Sequence, residues 1–276
     1  MDPFLWHSFS SPILPQLAGA LVIILVVLWM GHVWIGNASL ADVGFCVGFA
    51  LAVTVCAVIG EGSLWRRSLV AVMGNMYAGR LGWHLLTHRV WGKVEDPRYR
   101  HLRAKLGPWG PVGFLGYFLL QVPACLFFAS LLCWVMVNPE SDIRGWDLLG
   151  LGVFVLALSS ETVADRQLEQ FRAIPENRGK VLDQGLWRYS RHPNYFFETL
   201  LWCAYVPLAI GLPGVWVSIF WPVLMMVFLL WVTGVPWAEA QALMTRGEAY
   251  RRYQLTTNTF FPWKPRRMST NQEGTA

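Results

Sequence analysis

The stretch Gly185–Leu212, GLWRYSRHPNYFFETLLWCAYVPLAIGL, changes character halfway along. Its first half holds Arg188, Arg191, His192, two tyrosines and Glu198, and its second half is almost wholly apolar. A charged lip running into an apolar segment reads as a helix entering a bilayer from one water face. The rest of the chain agrees. Of 276 residues, 55% are hydrophobic and 14% charged, whereas an ordinary soluble domain carries about 25% charged residues. Sixteen tryptophans fit the same class, because indole rings favour the membrane–water interface. The expected fold is all-α, a polytopic membrane helical bundle.

Crossing the hydrocarbon takes about 20 mostly apolar residues. Seven segments qualify, at 13–36, 40–60, 67–87, 111–137, 146–164, 196–212 and 214–235. Together they predict one transmembrane domain over 1–264, followed by a basic, disordered tail at 265–276. The sixth segment is short and contains Pro207, and Pro213 with Gly214 bends the chain into the seventh. The third contains Arg80 and His84, so hydropathy alone ranks it low. The N-terminal MDPFLWHSFSSP has no basic n-region and no cleavage site follows the first apolar run, so that run is expected to stay as a span.

Eighteen of the 22 Lys and Arg residues fall in 88–110, 165–195 and 236–276, six in each. Seven spans put all three stretches on one side, cytoplasmic by the positive-inside rule, with the N-terminus outside and the C-terminus inside. Arg66 and Arg67 lie in the opposite loop and dissent mildly. The net charge of +5 then reflects topology rather than nucleic-acid binding. The five cysteines all sit in apolar segments without a C-x-x-C pair, so neither a disulfide nor a metal site is expected. Rossmann, P-loop, nucleophile-elbow and H-E-x-x-H patterns are missing. AEAQALMTRGEAYRRYQ reads as one amphipathic helix after the last span, and TFFPWKPRR as an aromatic and basic interfacial anchor.

The polar groups inside or beside the spans carry the functional signal, since a charge at the bilayer centre costs about 2.5–3.5 kcal/mol on insertion scales. Tyr77, Arg80 and His84 form one stripe on a helix face, read as a cavity wall. Asp42 and Glu61 flank the second span; Glu61 reads as an exposed turn residue, whereas Asp42 is left free if Ser39 caps the helix. Glu161, Asp165, Leu168 and Arg172 share a face at the end of the fifth span. Arg178 and Lys180 follow in a turn. Pro193 suits the first turn of a helix, which sets Asn194, Tyr195 and Glu198 at its cytoplasmic mouth. The positive end of that helix favours an anion, phosphate above all.

These motifs, ETVADRQLEQFR, NRGK and GLWRYSRHPNYFFE, with GKVEDPRY upstream and TNTFFPW near the end, resemble the bacterial membrane branch of the steroid 5α-reductase C-terminal-domain family. The likeness runs from about Leu40 to Lys264. It implies a seven-span bacterial inner-membrane enzyme, monomeric, with NADPH under cytosolic loops and a steroid or other lipophilic enone entering from the lipid. Tyr77 and Asp42 are then the catalytic pair at the ketone oxygen. Arg80, Asp165, Arg172, Arg178, Lys180, Tyr189, Arg191, His192, Asn194, Tyr195 and Glu198 are the cofactor-side residues. A histidine and a tyrosine of the animal enzymes fall here at Glu239 and Leu243. Two other readings stay open: an S-adenosylmethionine-dependent membrane methyltransferase of the isoprenylcysteine carboxyl type, and a non-catalytic lipid-binding membrane protein.

Overall fold

The computed structural model describes residues 13–138, 140 and 142–266, and no strand occurs among them. The N-terminal dodecapeptide and the tail from 267 onward fall outside the described residues. The chain divides into two compact units between Ser141 and Asp142.

The first unit contains α1 (Ile13–Ile35), α2 (Leu40–Ile59), α3 (Leu64–Leu85), α4 (Pro97–Leu106) and α5 (Gly110–Met136). At its centre, α2 packs against α1, α3 and α5. The turn between α2 and α3 is four residues long, so the two helices are antiparallel. Their register can be read from close approaches: a Cβ on Gly82 would meet Cys46 at 3.1 Å, and one on Gly74 would meet Val53 at 3.0 Å. Between these levels, Tyr77 packs edge-on against Phe49 with ring centroids 5.8 Å apart. Gly62 tolerates no side chain, since a Cβ there would lie 1.8 Å from the Met136 carbonyl oxygen. Arg66 lies in the first turn of α3 rather than in the loop; it is fully buried, with its guanidinium 4.5 Å above the Trp65 ring.

The second unit opens with α6 (Gly145–Ala173), followed by 3-10 turns at Pro175–Asn177 and Gly185–Arg188. Then come α7 (Pro193–Cys203), a single turn α8 (Tyr205–Leu208), α9 (Phe220–Val227), α10 (Val235–Arg246) and α11 (Glu248–Thr256). Pro193 occupies the first turn of α7 as expected. α7 packs against both α6 and α9. The anticipated single amphipathic helix is instead α10 and α11, broken at Gly247, whose φ of +52° few other residues adopt.

Among the described residues, five segments are long and apolar enough to cross a membrane: Ile13–Ile35, Leu40–Ile59, Pro97–Met136, Gly145–Ala173 and Val215–Arg246. The protein is therefore an integral membrane protein, with two of the seven expected spans differing. α3 forms over the third, but its arginines and Asn75 lower its hydropathy. The sixth does not form as one helix: α7 ends at Cys203, and the chain turns through Gly211 and Gly214, with φ of +102° and +71°.

The cysteines require a correction. Cys56 on α2 and Cys133 on α5 form a disulfide, their Cα atoms 5.6 Å apart. They are 77 positions apart in sequence, so local spacing says nothing about them, and the packing of α2 on α5 makes them neighbours. Removing a native disulfide costs roughly 2–4 kcal/mol. Cys56→Ser with Cys133→Ser should lower the melting temperature in detergent. Thiol labelling of denatured, unreduced wild type should count three reactive cysteines, rising to five after reduction.

Candidate functional site

In the first unit, polar groups gather where α4 begins. Asp96 caps α4 by accepting the Arg98 N–H at 2.9 Å, and its carboxylate also takes the Arg98 side chain at 3.0 and 3.1 Å. Arg89 approaches Asp96 at 3.4 Å. Glu95 accepts from Arg103 at 2.6 and 3.1 Å and from the Ala38 N–H at 2.8 Å, which ties the α1–α2 turn to α4. Burial pushes both carboxyls upward, but the arginines and backbone N–H groups outweigh it and hold Glu95 and Asp96 below the usual carboxylate range.

Asp42, in the first turn of α2, accepts the Tyr99 hydroxyl at 2.6 Å and faces Arg98 at 3.6 Å. The Tyr99 and Tyr117 hydroxyls are 3.1 Å apart. Ser39 gives α2 no side-chain cap, yet Asp42 is not left free. Nor does it hold Tyr77. Phe49 is level with Tyr77, and Asp42 lies seven residues further along α2, about 10 Å at the helical rise. The expected pair is thus separated by the α2–α3 register, and a different tyrosine engages the carboxylate. Tyr77 itself is 3% exposed, inside the unit, and Arg80 lies one turn on, half-buried.

In the second unit, polar groups gather at the start of α7. Asn194 donates to Asp165 at 3.1 Å, joining the start of α7 to the buried face of α6. Glu198, also buried, accepts from Trp202 at 3.2 Å, and the Trp187 indole N–H donates to the Ala164 carbonyl at 2.9 Å. Arg172, Arg178 and Lys180 are exposed. The side chains of Arg178 and Lys180 have no hydrogen-bond or ion-pair partner among the described residues.

Arg191 has another role than the one anticipated. Its Nε donates to Glu239 at 2.7 Å, its Nη1 to the Gln254 and Thr257 carbonyls at 3.1 and 2.6 Å, and its Nη2 to Thr259 at 2.8 Å. Glu239 also receives Gln254 at 2.8 Å and His192 at 3.3 Å. The guanidinium is therefore spent on the protein itself and holds α10, α11 and residues 257–259 to the RHPNY turn. His192 stacks on Tyr195 with ring centroids 5.4 Å apart. Tyr189 is exposed, and its carbonyl accepts the Trp263 N–H. Residues 256–266 form a strap around this turn. Arg266 N–H closes it on the Thr256 carbonyl at 2.8 Å, and Ser190 donates to the Phe260 and Thr259 carbonyls. Tyr253 locks the near side by donating to the Trp187 carbonyl.

Sequence reasoning missed Tyr99, Tyr117 and the structural use of Glu239. Tyr99 stands in the GKVEDPRY motif already quoted, and Glu239 was noted only as the replacement of a histidine. A buried arginine in RHPNY needs a carboxylate, and that need was the available signal.

A chain that is helical without strands among the described residues, with five apolar spanning segments there and a buried polar lip, is a polytopic integral membrane protein. It belongs to the family described as "Protein of unknown function (DUF1295)", which it matches over residues 21–257. No curated protein matches the chain.

Two outcomes are expected of the lip. Removing one partner of a buried ion pair costs about 3–5 kcal/mol, so Arg191→Met should lower the melting temperature far more than Arg178→Met. Burial pushes His192 below its ordinary value, against the raising pull of Glu239. The unfolded chain therefore takes up a proton near pH 6.5 that the folded chain refuses, and stability falls as pH drops through that point. Melting curves from pH 8 to 5.5 should show this slope in wild type and a shallower one in His192→Asn.

Proposed function

We propose that the protein is an NADPH-dependent reductase that delivers hydride to the C=C bond of a lipophilic enone, a 3-oxo-4-ene steroid being the type substrate. The observation that carries this reading is the hydrogen bond from Asn194 to the buried Asp165 at the lip of α7, in the unit that also carries Arg178 and Lys180, whose side chains have no partner among the described residues. Two free cations suit a pyrophosphate, and a carboxylate with a carboxamide suits the hydroxyls and amides of a nucleotide. The donor set fits the cofactor in that respect, with Arg191 left out because its N–H groups are occupied.

Bound at this lip, the dihydronicotinamide supplies the hydride. Arg178, Lys180 and Arg172 bind the phosphates, while Asp165 and Asn194 orient the ribose or amide. Tyr77 is assigned to the ketone oxygen. Its side chain is buried against Phe49, and away from water an O–H donor stabilises developing enolate charge better than in it. Asp42 is released from that role. It positions α4 through Tyr99 and Arg98.

Ligand binding in detergent tests the cofactor first. A ligand at a hundredfold excess over its dissociation constant stabilises the folded state by about 2.7 kcal/mol. NADPH should raise the melting temperature, NADH less, and S-adenosylmethionine not at all, with the NADPH shift lost in Arg178→Gln/Lys180→Gln. A shift with S-adenosylmethionine alone makes the protein a methyltransferase. With an enone in hand, Tyr77→Phe should lower turnover about a hundredfold, whereas Asp42→Asn should lower stability and leave turnover per folded molecule nearly unchanged. Full turnover by Tyr77→Phe removes the catalytic assignment.

A further inference from the structure

The strap of residues 256–266 borders two cavities of opposite character. One is an apolar groove of about 550 Å³, walled by Trp231 and Val235 on the α9–α10 side and by Phe260, Phe261 and Trp263 of the strap. The other is a polar cleft of about 430 Å³, lined by Asp183, Arg188, Thr256 and Thr257 with Pro265. Thr257 of the cleft and Asn258 of the groove are consecutive in the chain, so one strap serves as a wall of both. Each volume lies within the roughly 300–1,000 Å³ of small-molecule sites.

The walls are fixed before any ligand arrives. Backbone bonds from Arg191 to Asn258 and from Trp263 to Tyr189, at 2.8 and 2.9 Å, pin the strap along its length. Yet the rings that it presents are turned outward: Trp231, Phe261 and Trp263 are 65%, 62% and 72% exposed. Arg188, Lys264 and Arg266 are also exposed, and none of their side chains has an ion-pair or hydrogen-bond partner among the described residues. Arg188 lines the cleft, and Lys264 and Arg266 flank its Pro265. Outward aromatic rings adjoining free cations match the boundary between lipid tails and anionic headgroups.

We propose that this part of the strap is a binding site for one anionic phospholipid. An acyl chain lies in the groove between Trp231, Phe261 and Trp263, and the phosphate is held by Arg188, Lys264 and Arg266. Asp183, in the same cleft, accepts from a headgroup hydroxyl, which favours a glycerol headgroup over choline. The site is independent of the proposed cofactor lip, whose cations are Arg172, Arg178 and Lys180.

Native mass spectrometry of the detergent-solubilised protein, titrated with phosphatidylglycerol, phosphatidylcholine or glycerol 3-phosphate, tests the proposal. One phosphatidylglycerol should be retained at concentrations where the other two are not. Arg188→Gln/Lys264→Gln/Arg266→Gln should weaken its binding on the order of a hundredfold, each cation near anionic lipid contributing comparably. Phe261→Ala/Trp263→Ala should also release it, and both variants change only exposed side chains. Thermal shift with NADPH should be the same in both variants as in wild type, so the lipid site and the cofactor reading fail separately. Equal retention of phosphatidylcholine, equal binding of glycerol 3-phosphate, or full retention by either variant overturns the proposal.

Discussion

A guanidinium buried at the water edge of an apolar unit must be met by acceptors on every side, and the Arg191 network meets that demand. Its partners come from three separate places: Glu239 on α10, Gln254 on α11, and Thr257 and Thr259 at the start of the strap. Losing any one leaves charge unsatisfied where water is scarce, and such sites are far more costly to break than surface pairs. The turn that carries Arg191 is therefore the point at which the C-terminal third of the protein is assembled. Pro193 starts α7 two residues later, so the directions of Asn194, Tyr195 and Glu198 are set by the same junction. The proposed cofactor lip inherits its rigidity from an arginine with four of its five N–H donors engaged by the protein itself.

The first unit solves a related problem with a different set of groups. α4 is short and basic, and carboxylates at its start hold it together with the packing of Tyr99, Leu102 and Leu106 about Phe114. Asp96 caps it, Glu95 ties it to the α1–α2 turn, and Asp42 reaches it through Tyr99. Arg103 lies over the Phe114 ring at 4.7 Å while bonded to Glu95, so its charge and its flat face are both used. Tyr77 belongs to another layer, packed on Phe49 where α2 and α3 run side by side. Separating these layers lets one carboxylate organise the polar end while Tyr77 is buried apart from it.

The cations fall into three groups by environment rather than by residue type. Arg191, Arg103 and Arg98 are engaged by carboxylates within the fold. Among the described residues, the side chains of Arg178 and Lys180, at the turn after α6, and of Arg188, Lys264 and Arg266, beside the strap, have no partner. The nucleotide and the lipid are assigned to different sets of cations, Arg172, Arg178 and Lys180 for the one and Arg188, Lys264 and Arg266 for the other. On this reading the two ligands never compete for the same cation.

Much of this was legible in the sequence. Apolar length and low charge set the helical membrane class, and Pro193 after a cationic turn set where α7 begins. The 3.6-residue period placed Asp165 on the same face as Glu161. These are local rules, and each depends on residues within a few turns of one another. The chain alone could not say that Cys56 meets Cys133, that Asp42 takes Tyr99 instead of Tyr77, or that Arg191 is engaged by Glu239 and three further residues. Each of those facts joins segments between 48 and 77 positions apart, and depends on helix register, which side-chain pattern does not encode at that range. The sequence supplied which groups must find partners; the packing of α2 on α3 and α5, and of the strap on the RHPNY turn, decided which partners they found.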